Sequence, residues 1–177
     1  MCLFITVIIP AKTDLMAMRS VLDSFDMSFS PWHEVEVNPS IPEGFVQLRA
    51  TKSFCDCGTV LRQLYPAPHE RSLGKQLAKH RAQGWSEAKL QRWLDQKSKG
   101  DDRRSREDKA DLERWDGFLQ SIVSAERIPR LGLLIHFYGN RRAERKALTW
   151  QRFRIGNVDR EFLKSLQEDV VYEITTT

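Results

Sequence analysis

Apolar positions recur along this chain with two periods, and their alternation divides it into strands and helices. Leu3 to Ile9 is an almost unbroken apolar run with β-branched residues at Ile5, Thr6, Val7, Ile8 and Ile9. That pattern predicts a strand buried on both faces, hence central in its sheet. Thr13 is placed to cap a following helix, and Asp14 suits its positive N-terminal end. Leu15, Met18, Leu22 and Phe25 then recur at intervals of three and four. Trp32 to Val37 alternates, which predicts an exposed strand with Glu34 and Glu36 on its outer face. Pro39, Pro42 and Gly44 break the chain, and Phe45 to Thr51 reads as a strand with Val46, Leu48 and Ala50 inward.

From Glu70 to Ala125 no strand pattern occurs. Three helical patterns are predicted there, separated by Gly84 and by the polar run Lys97 to Ser105. The first uses Leu73, Leu77 and Ala78. The second starts at Ser86 as N-cap and buries Leu90, Trp93 and Leu94. The third opens on Ser105-Arg106-Glu107-Asp108, which resembles a capping box, and carries Leu112, Trp115, Leu119, Ile122 and Val123. The run Lys99 to Ser105 reads as a solvated turn.

Leu131 to Tyr138 is a second apolar strand, with His136 inside it. The segment Gly139 to Ala147 joins it to Leu148 to Ile155, read as its hairpin partner, with a bulge near Gln151 where the alternation changes parity. Asp159 caps a short helix over Phe162, Leu163 and Leu166, and Val170 to Thr175 closes the chain as a strand. The expected fold is α+β: a mixed, mostly antiparallel sheet with flanking helices and a helical insertion between two β-rich halves. It forms one domain over residues 1–177 with the insertion at 70–126.

Composition sharpens this picture only in places. With 177 residues, 41% hydrophobic and 29% charged, the chain can remove roughly 70% of its extended surface from water without disulfides or a structural metal. Its longest apolar run is too short to span a bilayer. The opening Met-Cys-Leu-Phe has no basic region and no small-residue cleavage site, so the expected location is the cytoplasm. The net charge of +4 is unevenly spread. Residues 127–154 hold eight Lys and Arg against Glu144 alone, with Arg141, Arg142, Arg145 and Lys146 on the connecting segment.

Cys2, Cys55 and Cys57 are an odd number of thiols, which argues against a secreted disulfide framework. The string Cys55-Asp56-Cys57-Gly58 has two readings. In one, Gly58 makes a tight turn, Asp56 bonds local amides, and the cysteines pack as small apolar groups. In the other, Cys55 and Cys57 hold zinc or do redox chemistry, with further ligands from Cys2, His33, His69, His80 or His136. The first carries more weight from sequence alone, so no metal and no cofactor is expected. His136 could act as an acid or base, although a satisfied core histidine is the commoner use. No nucleophile elbow, phosphate-binding loop, zincin pair or dinucleotide fingerprint occurs, which weakens the case for an enzyme.

The strings Met1-Cys-Leu-Phe-Ile-Thr6 and Cys55-Asp-Cys-Gly-Thr59 resemble those of small uncharacterised bacterial proteins. That resemblance implies a bacterial cytosolic protein and assigns no functional residue. The leading expectation is a non-enzymatic protein-binding module, such as an immunity protein that occludes a toxin. It would bind through Arg141, Arg142, Arg145, Lys146 and Trp85, the tryptophan sitting at a helix junction. One alternative is a protein that binds RNA or single-stranded nucleic acid through residues 127–154, where arginines lie near Phe137, Tyr138, Trp150 and Phe153. The other is the thiol or zinc protein built on Cys55 and Cys57.

Overall fold

A computed structural model describes residues 2–31, 41–61, 69–124, 126–138 and 148–177, with the backbone only at 69–72, 137 and 138. The described chain is α+β, with six strands in one mixed sheet of order β2-β3-β1-β4-β6-β5. It separates into two compact units: residues 1–62 with 111–177, and residues 63–110.

In the first unit β1 (Cys2–Pro10) lies inside the sheet, as its two-faced apolar run predicts, between β3 (Phe45–Thr51) and β4 (Arg130–Tyr138). Both pairings are antiparallel. Leu3, Ile5, Val7 and Ile9 face the main core with Leu48, Ala50, Leu131, Leu133, Ile135, Tyr172 and Ile174. That face is covered by α1 (Leu15–Ser24), by the Asp111–Ile122 stretch of α3 (Glu87–Ile122) and by α4 (Arg160–Lys164). Trp115, Phe118, Leu119 and Ile122 recur at helical spacing and are fully buried. The Phe118 ring meets Trp115, Phe25 and Phe29 edge-on at 5.9–6.2 Å, and each such pair adds about 0.5–1.5 kcal/mol beyond the area it buries. On the opposite face Ile8, Leu134, Leu148 and Val171 are buried together. Gly132 permits that packing, since a Cβ there would lie 2.9 Å from Val171 Cγ1 and 3.1 Å from Ile8 Cβ.

Several expectations are corrected. The cap of α1 is Asp14, whose Oδ1 accepts from the amides of Met16 and Ala17, while the Thr13 hydroxyl donates to the Pro10 carbonyl. A strand not foreseen, β2 (Met27–Pro31), pairs with β3; the expected strand at 32–37 lies outside the described residues. β5 (Thr149–Arg154) is not the hairpin partner of β4. It runs parallel to β6 (Val170–Thr175), which sits between them. The physical reason is burial: every residue of β6 is buried, so it takes an interior position, whereas β5 exposes Gln151, Arg152 and Arg154 at the edge. The parallel crossover is long enough to hold α4, capped as expected by the Asp159 carboxylate on the Phe162 amide. No bulge is needed at Gln151, because the β5–β6 register is continuous. Trp150 packs on one face of the sheet and Phe153 on the other.

In the second unit α2 (His69–Ala82) ends on Gly84, at φ +76°, in a Schellman cap. The Gly84 amide donates to the Arg81 carbonyl and the Trp85 amide to the His80 carbonyl. α3 then runs unbroken through the polar stretch 97–105. The expected turn at Lys99–Ser105 and the expected helix start at Ser105 are therefore both corrected. A stretch polar on all sides stays helical in water when i,i+4 partners support it, as Gln91–Asp95 and Arg103–Glu107 do. No described helix is long and apolar enough to cross a membrane.

Candidate metal centre

β3 pairs only with the Thr6–Pro10 half of β1. Along the other half, the loop after β3 takes over the ladder. The Asp56 amide donates to the Leu3 carbonyl at 2.9 Å, the Ile5 amide donates to Asp56 Oδ2 at 2.8 Å, and the Leu3 amide donates to Cys57 Sγ at 3.3 Å. Asp56 is 5% exposed, and Oδ1 also accepts the Thr51 hydroxyl at 2.6 Å. A buried carboxylate is tolerable only when its oxygens are occupied in this way. Beyond it the Thr59 amide donates to the Asp56 carbonyl, closing the turn. The Thr59 hydroxyl and the Val60 amide both donate to Asp111 Oδ2, at 3.1 and 3.0 Å. The backbone of Cys55-Asp56-Cys57 is thus fixed by bonds in which no metal takes part.

This anchoring brings Cys55 and Cys57 against Cys2 at the start of β1. The three sulfurs lie within 4.8 Å of one another, and all three residues are half-buried. Among the described residues it is the one group of three metal-ligating side chains so gathered. A tetrahedral zinc with bonds of about 2.3 Å separates its sulfurs by about 3.8 Å, so a closure of about 1 Å or less would seat the ion.

No family model, curated protein or solved structure matches this chain.

Of the other residues singled out from sequence, Arg141, Arg142, Arg145, Lys146 and His33 lie outside the described residues, and the side chain of His69 does also. Trp85 is half-buried and tied into its own unit. Its ring stacks on His80 at 4.1 Å, with Lys89 Nζ 4.0 Å from its centre, and His80 meets Trp93 edge-on at 4.9 Å. His136 is half-buried, and its Nδ1 is hydrogen-bonded to Asp169 Oδ1. Periodicity gives no hint of that partner, because Asp169 lies 33 residues away. Nor does it foresee Glu173, buried in β6 and bonded to both Arg130 and Arg152. An apolar cavity of about 360 Å³ opens beside Ile9, Leu15, Phe45, Val46 and Leu48.

Proposed function

We propose that the protein binds a soft metal ion of the zinc class through Cys2, Cys55 and Cys57, and that the ion clips β1 to the loop after β3. The convergence of three thiols from segments more than 50 residues apart carries this reading. Thiols used only as small apolar filler belong in a core, whereas these stand half-buried at its rim. Thiolates select zinc and copper(I) over hard cations, and each thiol gives up its proton on binding, so affinity rises with pH. The test is a zinc titration of the reduced full-length protein against a chromophoric chelator. One equivalent should bind, and Cys2→Ser, Cys55→Ser and Cys57→Ser should each weaken it by tenfold or more. Equal zinc uptake by all three variants and the parent would overturn the reading.

A second reading, a module that binds another protein such as a toxin, draws on exposed aromatic surface. Phe54, next to the thiol loop, is 89% exposed. This reading needs no metal. It would use Phe54, with the basic residues Arg141, Arg142, Arg145 and Lys146 singled out from sequence. Binding to the purified partner should fall on Phe54→Ser and on charge reversal of the three arginines, and unchanged binding would remove it.

A further inference from the structure

Cys2, Cys55 and Cys57 are free thiols whose sulfurs lie within 4.8 Å of one another. A disulfide brings two sulfurs to about 2.05 Å, and side-chain rotation covers the difference while the backbone stays in place. Two observations choose the pair. The Leu3 amide, on the peptide that joins it to Cys2, donates to Cys57 Sγ at 3.3 Å and holds that sulfur against the start of β1. Asp56, between the two loop cysteines, is pinned by its amide to the Leu3 carbonyl and by its carboxylate to the Ile5 amide and the Thr51 hydroxyl. That stretch of backbone cannot tighten into the small, strained ring of a Cys55–Cys57 bond. The thiols are also within reach of a dissolved oxidant, since all three residues are half-buried and Phe54 beside them is 89% exposed.

We infer that the thiol site is redox-gated: hydrogen peroxide joins Cys2 to Cys57 in a disulfide and so expels the metal. The first sulfur attacks the peroxide O–O bond and takes one oxygen, becoming sulfenic acid, and the other oxygen leaves as water. The second sulfur attacks the first, the S–S bond forms as the S–O bond breaks, and another water departs. Two thiols and one peroxide thus give one disulfide and two waters, with sulfur oxidised and peroxide oxygen reduced. In the loaded site both sulfurs begin as thiolates, solvent supplies the two protons, and the ion leaves as Zn2+ with its charge unchanged. The metal loses two ligands at once, and Cys55 alone does not retain it. Release of the ion rests on the metal reading of the three thiols, whereas the disulfide itself does not.

The experiment treats the reduced full-length protein, zinc-loaded and metal-free, with one equivalent of hydrogen peroxide. Released zinc is read with a chromophoric chelator, and the bond by intact mass and by peptide mapping after cleavage at Asp56, which separates Cys55 from Cys57. The loaded protein should lose one zinc per chain, its polypeptide mass should fall by two hydrogens, and the peptide carrying Cys2 should be joined to the one carrying Cys57. Dithiothreitol should restore both the mass and the zinc. In metal-free protein the parent and Cys55→Ser should form the same link, and Cys2→Ser should not. Zinc held through the peroxide, a link that uses Cys55 or joins two chains, or oxygen added at single cysteines with no link overturns the inference and leaves the three-thiol metal site standing. A parent that binds no zinc overturns the metal reading and with it the gating, while the disulfide is still read on the metal-free protein.

Discussion

The two compact units are held together by different physics. The unit of residues 1–62 and 111–177 is built around a continuous apolar core whose members come from both ends of the sequence. The unit of residues 63–110 has Leu90 as the one fully buried hydrophobic residue among those described. It relies on contacts close in sequence: the Schellman cap at Gly84, the His80–Trp85–Trp93 stack and helical i,i+4 pairs. Its charge differs too, with 12 Lys and Arg against 7 Asp and Glu, as counted along residues 63–110. Long-range burial makes unfolding all-or-none, whereas locally stabilised helices open at lower free energy. The candidate chemistry belongs to the first unit, where a rigid frame can hold three thiols in register.

The sharpest break of this comparison is in the core. Trp115→Ala or Phe118→Ala should cost about 3–5 kcal/mol in denaturant unfolding. A loss below about 1 kcal/mol would mean that the aromatic cluster is not what holds the first unit. Next comes Asp56→Ala, which leaves the Ile5 amide and the Thr51 hydroxyl without their shared acceptor and should cost about 2–3 kcal/mol. Because it also frees the loop that carries Cys55 and Cys57, it should weaken zinc binding although Asp56 is not itself a ligand; unchanged zinc affinity would separate the loop anchor from the metal site. In the helical unit, Trp85→Ala should leave global unfolding within about 0.5 kcal/mol of the parent. Hydrogen exchange at residues 76–93 should nevertheless accelerate, and uniform exchange across both units would show that they share one stability.

The smallest effect is expected at Lys52. The Asp26 carboxylate hydrogen-bonds its ammonium and, with Asp23, raises its pKa above 10.5. A raised pKa means that the contribution is fully present below 10.5 and is lost as pH rises through the folded-state value. The pair is exposed, so Lys52→Gln should change the thermal midpoint only slightly at low salt and not at all at high salt.

The difference between the units also explains what could be read from sequence. Periodicity located β1, α1, β3, β4, α4 and β6, because each buries a face whose pattern is local. It also located β5 but gave it the wrong partner, because the pairing depends on which strand is more buried. It also broke α3 in two, because a polar helix and a polar turn have the same composition. At the site, the Cys55-Asp56-Cys57 string is visible and Cys2 stands among the candidate ligands. Their convergence, however, depends on β3 releasing half of β1 to the loop. The His136–Asp169 pair was illegible for the same reason: a left-handed residue after α4 meets a strand that ends 31 residues before it.

On the reading proposed above, Cys2, Cys55 and Cys57 form one metal site. Native mass spectrometry of the reduced, zinc-loaded protein tests it most directly, because it reads the metals bound and the protons lost on a single species. One zinc per chain, displacement of the thiol protons, and no retained zinc in the Cys2→Ser, Cys57→Ser double variant are expected. A parent that stays metal-free beside excess zinc, or a double variant that retains the ion with the same mass shift, would contradict it.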